Sequence, residues 1–129
     1  MDIEKDIQKI RSFIQAGEQD RACDSLLDLL KKDPDNRTIL LILGGEYFVA
    51  GKHALAKVIF EKLVLLAPDE GKISIALFNT LQKLGLMDEA LEEMRRFLLC
   101  ANKEQENQTI QQYNKIINLL FSDAFEVNE

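Results

Sequence analysis

Few residues of this sequence have the types and spacing that metal binding or catalysis requires. His53 is the only histidine, and it follows the turn at Gly51-Lys52, so we expect a solvated loop histidine. Cys23 and Cys100 stand far apart in helical patterns, which favours reduced packing thiols over a disulfide or a reactive site. One histidine and two separated cysteines cannot assemble a zinc site. The sequence therefore predicts no metal and no cofactor.

The remaining polar clusters have structural interpretations. One cluster with helical spacing comprises Glu89, Glu92, Glu93, Arg95 and Arg96. Opposite charges three and four residues apart form favourable pairs on a helix surface, so we expect a solvated face and not an acid-base carboxylate pair. Gly44-Gly45 falls inside a helical pattern, which excludes a phosphate-binding loop. We therefore expect no catalytic residue and no enzyme.

Composition and charge indicate the class of protein. The 129 residues are 47% hydrophobic and 29% charged, as in one soluble globular domain spanning residues 1–129. A net charge of −6 argues against nucleic-acid binding, which requires a basic face. No apolar run approaches the roughly 20 residues of a membrane-spanning helix, and the N-terminus lacks an apolar signal core. We expect a cytoplasmic protein that does not insert into membranes.

The elements of this chain repeat. Its pattern is helical nearly throughout, and proline occurs only at Pro34 and Pro68, which are 34 residues apart. Three glycines share that interval: Gly17, Gly51 and Gly85. A small residue follows each glycine five positions later: Ala22, Ala56 and Ala90. Such a period predicts three helix-turn-helix repeats.

These glycines and prolines predict where each helix begins and ends. We expect helix pairs at 2–15 and 18–32, 36–50 and 52–66, and 71–84 and 87–101, then a seventh helix at 105–122. The corresponding repeats are 3–36, 37–70 and 71–104. Asp88 is expected to cap the sixth helix. Residues 123–129 are expected to form a frayed tail, from which Phe125 could dock.

Packing inside the second repeat follows from residue size. A glycine at the turn permits the positive φ that reverses the chain tightly. Gly44 is expected to lie opposite Ala56, where both helices approach closely. Tyr47 and Phe60 would fill the space on either side of that approach.

The second repeat resembles the tetratricopeptide repeat. The residues that carry the resemblance are Leu43-Gly44, Tyr47, Ala56, Phe60 and Pro68. The sequence departs from the family pattern at Leu40 and Leu63, at Asp6 and Lys9 in the first repeat, and at Asn102, which replaces the third proline. Polar residues at Asp6 and Lys9 would keep the outer side of the first helix soluble. The resemblance implies an all-α fold: a right-handed α-solenoid of three antiparallel helix pairs with a C-terminal capping helix.

The family resemblance also implies a concave face that holds a peptide or helix of another protein. One stripe per first helix would line it, comprising Ile7, Arg11, Ile14, Leu41, Gly45, Phe48, Ile75, Asn79 and Gln82. This groove is mostly apolar, and Val49 could extend it. The alternative is that these residues form core between neighbouring repeats. If these residues are exposed in a groove, they predict a noncatalytic protein-protein interaction module that binds an apolar or amphipathic segment.

Some tetratricopeptide cochaperones grip an acidic chaperone tail with Lys, Arg and Asn side chains. Only Arg11, Lys72 and Asn79 are of suitable type at the matching positions, and the second repeat contributes none. We therefore reject such a carboxylate clamp. The apolar groove also resembles that of small type III secretion chaperones, which hold a secreted subunit. A further alternative is a homo-oligomeric scaffold that buries the groove or the seventh helix by self-association.

Overall fold

The computed structural model describes residues 3–126, with side chains through residue 121. Within this range the chain forms seven α-helices and no strand: α1 (Ile3–Gln15), α2 (Gln19–Lys32), α3 (Arg37–Val49), α4 (His53–Leu66), α5 (Gly71–Lys83), α6 (Met87–Cys100) and α7 (Asn107–Glu126). The predicted all-α class is confirmed. Over the described residues, no helix combines the length and the apolar character needed to cross a membrane.

Six helices begin and end within one residue of their predicted limits. The seventh differs, since α7 begins two residues later than expected and continues to Glu126. Residues 123–126 of the expected frayed tail are therefore helical. Residues 127–129 and the side chain of Phe125, which we expected to dock, lie outside the described part of the chain.

The chain divides into two compact units, Met1–Leu66 and Ala67–Glu129. In the N-terminal unit α1 pairs with α2 and α3 pairs with α4, while α2 also packs on α3. In the C-terminal unit α5 pairs with α6, and α7 packs on α5 as the capping helix. That residues 1–129 form one domain stays a prediction.

Glycine closes each of the three helix hairpins. Gly17, Gly51 and Gly85 have φ values of 78°, 78° and 75°, in the region where any other residue is strained. In the second hairpin the amide of Lys52 donates to the carbonyl of Tyr47 across 2.8 Å, and the other two hairpins contain the equivalent bond. This is the Schellman arrangement, which satisfies carbonyls at the helix end. The predicted glycine turns are confirmed.

The predicted cap of the sixth helix is wrong. Leu86 occupies the N-cap position of α6 and makes no side-chain cap bond, while Asp88 lies inside the first turn. Its carboxylate still faces the positive end of the helix dipole. A side-chain cap exists at α3 instead, where the Asn36 amide oxygen accepts from the Ile39 amide across 3.1 Å.

The core of the N-terminal unit forms where the two helix hairpins meet. Its buried cluster comprises Ile10, Ala22, Leu26, Leu29, Ile39 and Leu43. Gly44 permits the closest approach, because a Cβ atom there would lie 2.6 Å from Cε1 of the Phe60 ring. Gly44 of α3 therefore accommodates the Phe60 ring of α4, whereas the sequence predicted that Gly44 lies opposite Ala56. Ala56, which is also in α4, is fully buried.

The C-terminal unit is built around an aromatic cluster. The Tyr113 ring of α7 lies edge-on to Phe78 of α5, with centroids 5.4 Å apart, and 5.8 Å from the ring of Phe97 of α6. All three side chains are buried. Gly71 allows a second close approach of α5 and α7, since a Cβ atom there would collide with the Thr109 hydroxyl. α7 is thus anchored along its first half.

Each proline loop is bound by a side chain of the second helix that follows it. Lys62 of α4 donates to the carbonyl oxygen of Pro34 across 2.8 Å, and Arg96 of α6 donates to that of Pro68 across 2.8 Å. Lys62 and Arg96 are equivalent positions of the repeat. In both loops an exposed proline carbonyl therefore accepts a hydrogen bond from a charged side chain.

Candidate functional site

The predicted groove of the N-terminal unit divides into exposed and packed positions. Leu41 is exposed and Phe48 is half-buried on α3, and Ile7 is half-buried on α1. Ile14 differs, because it packs against the core cluster of this unit. Arg11 is exposed to solvent. The core interpretation therefore applies to Ile14, and the groove at the other positions of the stripe stays a prediction.

A notch separates the two large apolar side chains of α3. Gly45 lies one turn after Leu41 and one turn before Phe48, and a Cβ atom placed on it would meet nothing within 4 Å. The backbone of α3 is thus accessible between these side chains. An incoming side chain could reach this depth without displacing any protein atom.

The N-terminal ends of α1 and α3 line a second depression of about 380 Å³. Its lining residues are Ile3, Glu4, Ile7, Gln8, Asn36 and Thr38. Ile7 is the member of the predicted groove that it contains. The polar side chains beside Ile7 could accept or donate hydrogen bonds to a bound backbone.

The prediction that His53 lies in a solvated loop is wrong. It is the first residue of α4 and is half-buried. Its ring lies edge-on to that of Phe48, with centroids 5.1 Å apart at an angle of 61°. His53 therefore packs against the Phe48 ring and helps to hold it in place.

In the C-terminal unit the predicted groove positions have polar surroundings. Asn79 and Gln82 are exposed, and Ile75 is half-buried. Ile75 lies in a depression of about 450 Å³ between α5 and α7, lined also by Lys72, Gln108, Thr109, Gln111, Gln112 and Lys115. The apolar character expected of the groove is therefore confined to the N-terminal unit.

A buried polar network joins the three helices of the C-terminal unit, and sequence reasoning missed it. Ser74 of α5 donates to Glu93 of α6 across 2.7 Å, and the Tyr113 hydroxyl of α7 lies 2.6 Å from the Ser74 hydroxyl. Arg96 donates twice to Glu93, at 2.8 and 2.7 Å. Because Ser74 gives its proton to the carboxylate, Tyr113 is the donor to Ser74.

This network corrects the interpretation of Glu93 and Arg96 as part of a solvated face. Glu93 is buried and Arg96 is half-buried, whereas Glu92 and Arg95 are exposed as expected. A signal was present in the 34-residue alignment, since Ser74 and Glu93 replace Leu40 and Ile59 of the second repeat. Two polar residues at paired apolar positions indicate a buried hydrogen bond.

Burial also sets the protonation of this network. The pKa of Tyr113 is raised far above its usual value, chiefly because burial penalises the phenolate, and the Glu93 carboxylate adds to the rise. The hydrogen bond between Tyr113 and Ser74 and the positive charge of Arg96 lower the pKa of Tyr113, by less than burial raises it. The pKa of Arg96 is raised, first by its hydrogen bond to Glu93. The network is thus stable as a neutral phenol beside an ion pair.

The cysteines differ from each other. Cys23 is half-buried against the N-terminal core and its thiol pKa is raised, mainly by burial. Cys100 is exposed at the end of α6, with its sulfur 3.6 Å from the Pro68 carbonyl oxygen. Both are free thiols. The expectation of a packing thiol therefore holds for Cys23 and is wrong for Cys100.

Comparison with known proteins gives no family model that matches and no curated protein that matches. Solved structures do match. The structure of MamA MSR-1 is 26% identical with a TM-score of 0.66, over 76% of this chain and 56% of that chain. A second structure, MamA AMB-1, is 21% identical with a TM-score of 0.67, over 77% of this chain and 54% of that chain.

A third structure decides the fold. The first TPR domain of Spaghetti (RPAP3), bound to the HSP90 peptide SRMEEVD, is 21% identical with a TM-score of 0.69, over 93% of this chain and 98% of that domain. The chain has the tetratricopeptide-repeat fold. The predicted α-solenoid class is thereby confirmed. The chain spans little more than half the length of the MamA chains that it matches.

Within this tetratricopeptide-repeat fold, the departures of the first repeat lie on a charged surface. Asp6 is half-buried and Lys9 is exposed. They line a depression of α1 and α2 together with Arg21, Asp24, Asp28, Lys32 and their apolar neighbours. The positions at which the first repeat departs from the family pattern therefore lie among charged side chains.

Proposed function

We propose that this chain is a noncatalytic protein-protein interaction module that binds an apolar or amphipathic segment of another protein along α3 and α1 of the N-terminal unit. One observation carries the proposal: Leu41 and Phe48 flank the open notch at Gly45. Leu41 is 37% exposed, although it belongs to a helix that is apolar on nearly every side. A helix of that kind is normally covered by another element.

The shape of this surface favours a side chain that inserts, flanked by apolar contacts. A residue of the bound segment would enter above Gly45, while its neighbours would contact Leu41 and Phe48. The adjacent depression at Ile7, with polar groups from Glu4, Gln8 and Asn36, would orient the segment. Apolar anchors with a polar rim are the usual composition of a specific interface.

An acidic tail is not the ligand that we propose. A TPR domain of similar fold binds an acidic peptide, but here the second repeat places Leu41, Ile42 and Gly45 at the matching positions. Arg11, Lys72 and Asn79 alone have suitable side chains there. Three such groups, none of them from the second repeat, support a clamp poorly.

A narrower form of the proposal is a chaperone of the type III secretion kind, which holds an apolar stretch of a secreted subunit in the cytoplasm. The apolar notch and the net charge of −6 suit this role. A general adaptor would use the same surface. Identification of the captured protein separates them, because a chaperone requires that its partner be an exported subunit.

The test is capture of a partner by the full chain and by two variants. Leu41→Asp with Phe48→Asp should abolish capture from a lysate of the source cells, and the captured protein, once purified, should bind the wild-type chain and not the variant. Asn79→Asp and Gln82→Glu, at exposed sites of the C-terminal unit, serve as the control and should capture normally. Circular dichroism must show unchanged helicity. If the Leu41 and Phe48 variant unfolds, those residues are core and the groove proposal fails.

A further inference from the structure

The outer face of α4 is apolar at three positions, five of whose six equivalents in α2 and α6 are charged. Three exposed residues form a stripe along α4, namely Leu55, Val58 and Leu65, which are 49%, 61% and 84% exposed. The equivalent residues of the first repeat are Arg21, Asp24 and Lys31, and those of the third are Glu89, Glu92 and Leu99. Since the repeats share one backbone pattern, the repeat itself does not require apolar residues at these positions.

The charges of α4 do not interrupt this stripe. Lys62 lies between Val58 and Leu65, but its ammonium group binds the Pro34 carbonyl at 2.8 Å and the Asp35 carboxylate at 3.4 Å. Its tip is thereby drawn toward the α2–α3 loop, and its methylene groups remain beside the stripe. The aliphatic surface continues to Leu66 at the end of the helix, which is also exposed.

We propose that this face binds the same face of a second copy of the chain, with the two α4 helices antiparallel across a two-fold axis near residue 60. In that register Leu55 of each copy contacts Leu65 of the other, and the Val58 side chains pack near the axis. A two-fold contact requires a surface that is complementary to itself. The α4 stripe fulfils this requirement because it is apolar at both ends.

Charge at the edge of the stripe favours the same arrangement. Lys57 and Glu61 lie one helical turn apart along one edge of α4. A two-fold axis between antiparallel helices brings this edge against the same edge of the second copy. Glu61 of each chain would then lie beside Lys57 of the other. A two-fold arrangement with parallel helices would instead place the two copies of this edge on opposite sides of the contact, so Lys57 and Glu61 would not meet across it.

The size of the surface limits the strength of this contact. α4 has 14 residues, and a helix of that length is about 21 Å long and about 10 Å wide. One face of it is far smaller than the roughly 800 Å² that each partner buries in a stable complex. We therefore expect a reversible dimer with a Kd between about 1 µM and 1 mM. This inference does not depend on the proposed function, because α4 contributes none of the groove residues.

Sedimentation velocity of the full chain, from about 5 µM to about 1 mM, tests the proposal. The weight-average mass should rise with concentration from 14.7 kDa toward twice that value. The triple variant Leu55→Arg, Val58→Asp, Leu65→Lys restores the residue types of the first repeat. It should associate at least about tenfold more weakly, because positions 55 and 65 would then oppose each other with like charges. Leu99→Lys is the matched control, an equally exposed leucine of α6, and should dimerise like the wild type.

A charge exchange tests the antiparallel register itself. Glu61→Lys should weaken association, and adding Lys57→Glu to it should restore association. A wild-type mass of 14.7 kDa at every concentration overturns the proposal, as does unchanged association of a triple variant with normal helicity. If the triple variant unfolds, the charge-exchange pair decides instead. The Leu41→Asp, Phe48→Asp variant should still dimerise, so the groove and the α4 face can fail separately.

Discussion

The hydroxyl oxygen of Tyr113 lies 2.6 Å from that of Ser74, and both side chains are fully buried. This contact joins α7 to α5, and a hydrogen bond from Ser74 to Glu93 joins α5 to α6. Every buried side-chain polar atom in the described part of the chain has a partner. The C-terminal unit therefore depends on a few specific polar contacts in addition to its aromatic cluster.

Removal of either hydroxyl should destabilise the chain by different amounts. Tyr113→Phe removes the terminal donor and leaves Ser74 bound to Glu93, so we expect a loss of about 1 kcal/mol. Ser74→Ala leaves both the phenol and the carboxylate without this partner, and should cost about 2–3 kcal/mol. Urea unfolding followed by circular dichroism measures both values. Equal stability of Ser74→Ala and the wild type would contradict the network.

The ion pair beneath the network can be separated from a surface pair on the same helix. Arg96→Met should cost about 2–3 kcal/mol, because Glu93 is then a buried charge without its cation, and Arg96 itself is partly exposed. Arg95→Met is the matched control: its pair with Glu92 is exposed on both sides, so its loss should cost less than about 0.5 kcal/mol. Adding Glu93→Gln to Arg96→Met should recover part of the stability. Similar costs for the two arginine variants would contradict this account.

Alkaline pH should destabilise the wild-type chain through Tyr113. The folded pKa of Tyr113 is raised above the unfolded value of about 10, so its contribution is complete below pH 10 and is lost as the pH rises through the folded pKa. Between about pH 10 and pH 12 the wild type should therefore lose more stability than Tyr113→Phe, whose other titrating groups are the same. Ultraviolet titration should show the second tyrosine, Tyr47, ionising before Tyr113, since Tyr47 is less buried. If both ionise together in the folded chain, the burial of Tyr113 is wrong.

Two adjacent glycines of α3 should respond oppositely to alanine. Gly44→Ala forces a methyl group against the Phe60 ring, and we expect a loss of about 1–3 kcal/mol, with Gly44→Leu at about 2–4 kcal/mol. Gly45→Ala meets no atom within 4 Å and should stabilise the helix by about 0.5–1 kcal/mol. The shift of the melting temperature measures both. A Phe60→Leu background should reduce the cost of Gly44→Ala, and an unchanged melting temperature for Gly44→Leu would contradict the packing.

Gly45→Ala has a second expected outcome, since Gly45 also forms the notch of the proposed groove. The added methyl group should fill the notch and weaken capture of the partner while the fold becomes more stable. Binding and stability would then change in opposite directions in a single variant. Unchanged affinity would indicate that the partner does not enter above Gly45.

The repeat pattern of the sequence determined the helices and their pairing. Glycine at positions 17, 51 and 85 is required by positive φ, which is a local property of the backbone, so a local pattern reveals it. The spacing of buried alanine and leucine residues is likewise local, because it follows the helical period. The limits of six helices and the turn between the members of each pair could therefore be predicted from the residues alone.

Only the tertiary structure decided which stripe residues are covered. Ile14 and Leu41 belong to the same predicted stripe, yet Ile14 packs on the core and Leu41 is exposed, because burial depends on neighbours from distant parts of the sequence. The same reason explains Glu93, which stands three residues from Arg96 and therefore resembles a surface charge in the sequence. Its carboxylate is buried only because Ser74 and Tyr113, 19 and 20 residues away, pack around it. Local spacing determined the scaffold of this protein, and contacts between helices decided its surfaces.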